Sequence, residues 1–332
     1  LVNGQGHDLT VIAGDTINLT AAITNVRNVA MQSVSALALD FAVTALQDAT
    51  FTITGDTFDI TVSAALTAGG FLRLTTLGTA GDDILITGGD LEAPTVLLDA
   101  GLGEVDNTAA IDNSDGSLHV VAAAIDINNS IQAADDILLE GAVNAGGDLT
   151  AGDDLTINGT TTLSGAARIF TSTNGSIDLN GAVDNDGLGT PWDLTLTASK
   201  GKIYTENIGS GTAIGALDMN ATEAVLDGDI TAASVDTTPT AAGNGVGVTT
   251  LTGTAGAAPG TVAIVTTGAV DLGTLSGNNL NISAGTTVDL ADANDISSLI
   301  IVLAADVNFN GNFATLGVVN VTGVSGTITV VA

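Results

Sequence analysis

The segment AGDDLTINGTT, residues 151–161, contains the pattern that decides the fold. Two aspartates precede a short apolar–polar alternation, and related segments are AGDDILITGG (80–89) and AADDILLEGA (133–142). Alternation with period two predicts a strand with one buried face, and Gly, Asn and Asp at its ends predict turns. Three interpretations of the aspartate pairs follow: a calcium site, a catalytic pair of carboxylates, or the corner between repeated strands.

The composition favours strands and turns over helices. The 332 residues include 42 glycines, and 32 of the 37 acidic residues are aspartate. Aspartate competes with the helical backbone for hydrogen bonds and prefers turns, whereas glutamate favours helices. Thr, Val, Ile and Leu, which favour strands, are abundant. Because only seven Phe, one Trp and one Tyr are present, we expect a core of small aliphatic side chains.

The charge excludes several classes of partner. The formal net charge is −32, and the five basic residues are scattered along the chain. Nucleic-acid binding requires a positive surface that displaces counterions, and anionic membranes also attract basic segments. No uninterrupted apolar run of membrane-spanning length occurs, and there is no cysteine. We therefore predict no nucleic-acid partner, no membrane span and no disulfide framework.

The alternating segments repeat along the chain. Leu194 begins LTLTASKGKIYTENI, and Leu217 begins the related segment LDMNATEAVLDGDI, while Asp135 and Asp153 occupy equivalent positions of two successive repeats. Periods of roughly 20 residues indicate a solenoid, in which each coil buries its inner face on its neighbours. We predict an all-β chain, with residues 1–332 forming one elongated parallel β-helix (β-solenoid) of roughly 14–16 coils. The rule for parallel crossovers predicts right-handed winding.

Two stretches depart from this pattern. Residues 26–54 lack glycine, and within them SALALDFAVTAL (35–46) fits a flat strand better than an amphipathic helix. In this segment four larger apolar residues alternate with mostly alanine: Leu37, Leu39, Phe41 and Val43. Residues 237–260 are rich in Gly, Ala, Thr and Pro, which predicts a loop excursion.

Neither end of the sequence carries a recognisable polar cap. The chain starts at Leu1 and enters an alternating pattern almost at once, and it finishes on VVNVTGVSGTITVVA. An open terminal coil exposes unpaired backbone groups. We therefore expect either a segment or processed form of a longer surface protein, or subunits that stack head to tail.

Two segments resemble a known family. WDLTLTASKGKIYTENIGSGTAIGALDMNATEAVLDGDITAAS (192–234) and NLNISAGTTVDLADA (279–293) are similar to the repeats of filamentous-haemagglutinin-type secreted surface proteins, over about residues 135 to 303. The resemblance implies a right-handed parallel β-helix that acts as an adhesin or surface fibre at an extracellular or cell-surface location. It implies no catalytic residues.

The aspartate pairs are the candidate metal ligands. Calcium takes several oxygen ligands from carboxylates and backbone carbonyls, and stacked turns could supply them. The alternative, which we favour, is that each aspartate caps a turn. The candidate calcium residues are Asp82, Asp83, Asp135, Asp136, Asp153 and Asp154.

Catalysis is the weaker alternative. A polysaccharide hydrolase or lyase would need two carboxylates at a defined separation, and such enzymes usually add aromatic platforms that this chain largely lacks. His7 and His119 show no partnered nucleophile pattern beyond the nearby Ser117 and Asp115. We therefore predict no enzyme activity and no required cofactor.

One predicted coil holds the only Trp, Tyr and Lys residues of the chain, which makes it a candidate spot for binding a glycan or partner: Trp192, Lys200, Lys202 and Tyr204. The alternative is an ordinary surface ladder. The function predicted from the sequence is a structural β-solenoid of an extracellular fibre, sheath or adhesin shaft. Its partners would be copies of itself, the rest of a larger surface protein, or glycans.

Overall fold

The computed structural model describes residues 2–76, 81–237, 246–258, 260–310 and 318–331. None of the described residues is helical, and the strands stack in parallel in about 14 turns of β-solenoid. The predicted fold class is therefore confirmed, while the right-handed winding stays a prediction. Contacts divide the chain into two compact units, Leu1–Gly159 and Thr160–Ala332, here called unit 1 and unit 2.

Unit 1 contains 21 strands among its described residues, most of them short. They are β1 (Val2–Asn3), β2 (Leu9–Ala13), β3 (Ile17–Asn18), β4 (Ile23–Val26), β5 (Val29–Ser33), β6 (Leu37–Leu39), β7 (Val43–Ala45), β8 (Ala49–Ile53), β9 (Ile60–Val62), β10 (Leu66–Ala68), β11 (Phe71–Thr76), β12 (Ile84–Ile86), β13 (Leu91–Glu92), β14 (Thr95–Asp99), β15 (Glu104–Asn107), β16 (Ile111–Asn113), β17 (Ser117–Ile127), β18 (Ile131–Ala133), β19 (Ile137–Ala145), β20 (Leu149–Ala151) and β21 (Leu155–Asn158).

Strands β1 to β15 of unit 1 repeat in threes, so each of these turns has three faces. One face stacks β2, β5, β8, β11 and β14 in parallel, a second stacks β3, β6, β9, β12 and β15, and a third stacks β1, β4, β7, β10 and β13. Short strands separated by small or polar residues give three straight faces joined by corners, because Gly, Asn and Asp tolerate turn geometry.

Unit 2 has longer strands, several of which bend around a corner. They are β22 (Thr161–Leu163), β23 (Arg168–Ser172), β24 (Ile177–Leu179), β25 (Val183–Asn185), β26 (Leu194–Thr205), β27 (Ile214–Leu226), β28 (Ile230–Asp236), β29 (Val246–Leu251), β30 (Thr261–Thr266), β31 (Val270–Ala284), β32 (Thr287–Leu303), β33 (Asp306–Phe309), β34 (Val318–Val321) and β35 (Ile328–Val330). The register shift between Ala198 and Lys202 marks one such corner, where β26 changes face.

The coil length varies along the chain. Leu194 pairs with Leu217, as the repeated pattern predicts, while Ile137 pairs with Leu155 through a shorter turn. In unit 2 Val235 pairs with Val270, so this turn carries the largest insertion among the described pairings. Buried positions therefore stay stacked on buried positions although the turns differ in length.

Alternation decides which side chains form the core. In β26 the inward Leu194, Leu196 and Ala198 are fully buried, while the residues between them are not. The same positions repeat in β27 as Leu217, Met219 and Ala221. Each buried Leu or Ile contributes about 1.5–3 kcal/mol through removal of apolar surface from water, so stacked aliphatic ladders supply most of the stability.

Two expectations about irregular stretches need correction. SALALDFAVTAL forms two strands, β6 and β7, because a corner falls at residues 40–42; Phe41 is therefore 41% exposed and does not share the face of Leu37 and Leu39. The stretch 237–260, predicted to be a loop, contains strand β29, which pairs with β27 and β31. Residues 238–245 and 259 lie outside the described residues.

Candidate functional site

The aspartate pairs at 135–136 and 153–154 lie one above the other on successive turns of unit 1. The Asp153 N–H donates to the Asp135 carbonyl at 3.0 Å, and the Asp154 N–H donates to Asp136 Oδ1 at 3.0 Å. The second bond replaces a main-chain acceptor with a side-chain carboxylate. The Asp136 side chain therefore caps the turn of the following coil.

The pair at 82–83 also bonds to neighbouring turns, and Asp82 is more deeply buried than the other paired aspartates. Asp83 Oδ1 accepts the N–H of Glu104 on the next turn at 2.8 Å. Asp82 is fully buried, and its Oδ1 accepts the N–H of Phe58 on the preceding turn at 2.9 Å. Asp82 Oδ2 has no hydrogen-bond partner among the described residues. This pair therefore bonds to coils on both sides.

Many other corners use the same device, which we call the corner caps. In each, a side-chain oxygen accepts a main-chain N–H from an adjacent turn. In unit 2 Asp229 accepts two main-chain N–H groups, since Oδ2 accepts from Ala257 and Oδ1 from Ala263, both at 2.8 Å. Further carboxylates in corner caps of the two units are Asp48, Asp59, Asp184, Asp193, Asp227 and Asp306.

Calcium binding by the aspartate pairs stays a prediction. Within the described ranges, no three His, Asp or Glu side chains are grouped so that they could hold a metal ion. The contacts therefore give the pairs a structural role that needs no metal.

A second arrangement of aspartates crosses a flat face of unit 2, and the sequence analysis did not identify it. Register places Asp218 beside Asp236, Asp236 beside Asp271, and Asp271 beside Asp289. We call these four residues the aspartate column. Neighbouring strands are about 4.8 Å apart, so each carboxylate faces a carboxylate of the next turn.

Two members of the column, Asp218 and Asp271, have a raised pKa. Partial burial, followed by the negative charges of Asp236 and Asp289, raises the pKa of Asp271 to about 6. Burial and the charge of Asp236 likewise raise the pKa of Asp218. The column ends at Asn308, whose Nδ2 donates to Asp289 Oδ1 at 2.6 Å. An amide at this position thus replaces repulsion with a hydrogen bond.

Unit 1 has a shorter version of this arrangement. Asp106 pairs in register with Asp126, which pairs with Asn144, and Asn144 Nδ2 donates to Asp126 Oδ1 at 2.6 Å. Glu104 lies nearby, and burial together with the charges of Asp126 and Asp83 raises the pKa of Glu104. Stacked carboxylates that end on an asparagine therefore occur in both units.

The four candidate partner-binding residues occupy different surroundings. Trp192 precedes β26, and its Nε1 donates to Asp186 Oδ2 at 3.3 Å. Lys200 lies at the corner of β26 and donates to Asn174 Oδ1. Lys202 and Tyr204 lie beyond that corner, on the same outer face of β26. The structure thus groups Lys202 with Tyr204, while Trp192 and Lys200 contact other side chains.

Tyr204 lines a shallow groove of about 300 Å³ on unit 2, here called the Tyr204 groove. Register stacks Tyr204 between Asp178 and Val225. The remaining lining residues come from the same turns: Leu179, Asn180, Thr205, Glu206, Asp227 and Thr252. Three carboxylates and one aromatic ring therefore surround the groove.

Fixed charges flank this groove. Lys202 Nζ lies 2.6 Å from Glu223 Oε2, and Thr250 Oγ1 donates to Glu223 Oε1 at 2.8 Å. Burial alone would raise the pKa of Asp227, but hydrogen bonds from Thr252 and Thr254 outweigh it and lower that pKa. Asp227 is therefore held as an anion, and the positive charge of Lys202 is compensated by Glu223.

The candidate His119 makes a hydrogen bond to a carboxylate of the next turn, and its described contacts form no triad. His119 Nε2 lies 2.7 Å from Glu140 Oε2 on the next turn. Ser117 Oγ accepts the N–H of Asp136 at 3.3 Å, so it has a place in the corner caps. His119 and Ser117 therefore contact residues of the next turn of unit 1.

No protein-family model, curated protein or solved structure matches this chain. The described residues contain no helix that is long and apolar enough to cross a membrane. The function of this chain therefore has to follow from the contacts, burial and charges of the described residues.

Proposed function

We propose that this chain is a non-enzymatic, extracellular structural protein, a β-solenoid subunit of a surface fibre, sheath or adhesin shaft whose copies stack head to tail. The resemblance of residues 135 to 303 to surface-fibre repeats supports the extracellular setting. The corner caps support a structural role, since they use the aspartates that a metal or catalytic site would need.

The observation that carries the proposal is the exposed apolar edge of the last described turn. Strand β34 pairs only with β32, and β35 pairs only with β33, among the described residues. Val318 is 59% exposed and Val330 is 68% exposed. Unpaired N–H and C=O groups beside apolar side chains form a template for one more parallel strand.

The first turn of unit 1 has a matching edge. Strands β1, β2 and β3 each pair on one side only, with β4, β5 and β6, among the described residues. Pairing of the first described turn of one copy with the last described turn of another would join unlike edges in parallel. Such contacts are head-to-tail and do not close, so they produce filaments.

Electron microscopy and sedimentation of the purified chain at low micromolar concentration test this function. We expect filaments one coil wide. Replacing Val319 and Val330 with lysine should abolish them, because charged side chains on an edge strand block pairing. The control is Ile169→Lys, which adds one lysine at a 49% exposed apolar position of unit 2 on β23, away from the open edge.

The control variant should still form filaments with normal strand content by circular dichroism. Wild-type chains that remain monomeric up to high micromolar concentration would overturn head-to-tail stacking. Cleavage of a polysaccharide by these monomers would replace the structural function with an enzymatic one.

A further inference from the structure

The Tyr204 groove combines features that neither the corner caps nor the open edges require. Tyr204 is 37% exposed on the outer face of β26. Its neighbour in register on the next turn is Val225, a smaller side chain. A large ring next to a smaller residue leaves one side of the ring uncovered, and this difference in size accounts for the concave surface.

The charges around the ring have one sign. Asp178, Glu206 and Asp227 line the groove, and the nearest lysine, Lys202, already pairs with Glu223. The hydrogen bonds from Thr252 and Thr254 hold Asp227 in place. An anionic ligand would be repelled, and a neutral ligand would gain nothing from these charges.

A positively charged organic group satisfies both features of the groove. Guanidinium and ammonium groups are attracted to the face of an aromatic ring, and they form charge-assisted hydrogen bonds with carboxylates. The aliphatic stem of Arg or Lys can pack on an apolar neighbour, a position that Val225 occupies here. The volume of about 300 Å³ is at the small end of the range for ligand sites and suits one side chain.

We propose that the Tyr204 groove binds the guanidinium or ammonium side chain of a basic segment on a partner protein. This inference does not depend on head-to-tail stacking, because the groove lies on turns flanked by other strands of unit 2. The net charge of −32 would add long-range attraction that speeds encounter with such a partner.

Titration calorimetry with the whole chain and a blocked tetra-arginine peptide tests the proposal, with tetra-citrulline as the uncharged equivalent. We expect tetra-arginine to bind and tetra-citrulline not to bind. Tyr204→Ala should weaken binding about fivefold, and Glu206→Gln about threefold. Tyr204→Phe should bind like the wild type, because it keeps the ring.

Two matched controls separate the groove from general attraction to an acidic protein. Asp115→Asn removes one exposed negative charge from unit 1, and Phe41→Ala removes an aromatic ring that is 41% exposed there. Both should leave tetra-arginine affinity unchanged. Equal affinities for Tyr204→Ala, Glu206→Gln and Asp115→Asn would overturn the proposal by showing that the attraction is unspecific. Binding of a neutral oligosaccharide that is lost in Tyr204→Ala, without peptide binding, would assign the groove to sugars instead.

Discussion

The corner caps and the aspartate column place the same side chain in two opposite environments. At the corner, Asp229 receives two main-chain N–H groups, from Ala257 and Ala263. In the column, Asp271 faces Asp236 on one side and Asp289 on the other. The first carboxylate uses both oxygens to accept hydrogen bonds, whereas burial and like charges raise the pKa of the second.

The difference comes from what the backbone leaves unpaired. On a flat face the parallel ladder uses the N–H and C=O groups, so an outward carboxylate meets only the side chain of the next turn. At a corner the ladder is interrupted, and a short acceptor can bridge the spacing of about 4.8 Å between turns. This accounts for the excess of aspartate over glutamate, 32 against 5, because the shorter side chain stays close to the corner it caps.

The largest expected effect breaks a corner through its backbone. A Cβ on Gly152 would lie 1.7 Å from the Ala134 carbonyl oxygen, whereas a Cβ on Gly14 would meet nothing within 4 Å. Gly152→Ala should therefore lower the free energy of unfolding by about 3 kcal/mol. Urea unfolding followed by circular dichroism measures the change. Gly14→Ala is the control and should shift stability by less than about 0.5 kcal/mol.

Removing a corner cap that accepts two main-chain N–H groups should have the next largest effect. Asp229→Ala leaves two N–H groups, those of Ala257 and Ala263, without their acceptor, and should cost about 2 kcal/mol in urea unfolding. Asp56→Ala serves as the control, since the Asp56 side chain makes no hydrogen bond with the described residues. If the two variants were equally stable, the corner caps would not contribute to stability.

Removing a corner cap that accepts a single hydrogen bond should lower the free energy of unfolding less than removing Asp229. Asp136 accepts one N–H, from Asp154 at 3.0 Å, so Asp136→Ala should cost about 1 kcal/mol. Hydrogen exchange of the Asp154 amide provides a local measurement, and exchange should speed up in the variant. Unchanged exchange at Asp154 would show that water replaces the carboxylate without loss.

The sequence predicts the coils better than it predicts which side chains meet. Period-two alternation and the recurrence of one pattern at Leu194 and Leu217 depend on local chemistry, so they identify the strands and their stacking. Which aspartates become neighbours in the column depends on the length of the chain inserted between their strands. Strands β29 and β30 lie between Asp236 and Asp271, whereas a single short turn joins Asp218 to Asp236. No fixed period therefore relates the members of the column.

A signal for the column is nevertheless present in the sequence. Each member directly follows a buried Leu or Val on its strand, and the same pattern recurs at Val307 and Asn308. The Tyr204 groove has no comparable signal, because the partners of Tyr204 come from turns of different length. Closeness in sequence groups Trp192 and Lys200 with Tyr204. In the structure, the corner of β26 separates these two residues from the outer face that carries Tyr204.

The pH dependence of Asp271→Asn tests most directly the claim that corner and column aspartates have opposite effects. The pKa of Asp271, about 6 in the folded chain, lies above its ordinary value of 3.8. Ionisation therefore destabilises the folded state progressively as pH rises from about 4 to 6, and the penalty is absent below this window. Asp236 and Asp289 are the charged groups that face Asp271 from the adjacent strands.

The measurement is urea unfolding of the wild type, Asp271→Asn and the charge control Asp56→Asn at pH 7.5 and pH 4. At pH 7.5 we expect Asp271→Asn to be more stable than the wild type by about 0.5–1 kcal/mol after solvent screening. The gain should vanish at pH 4, and Asp56→Asn should show no comparable gain. An Asp271→Asn variant that is less stable at pH 7.5, or equally shifted at both pH values, would contradict the account.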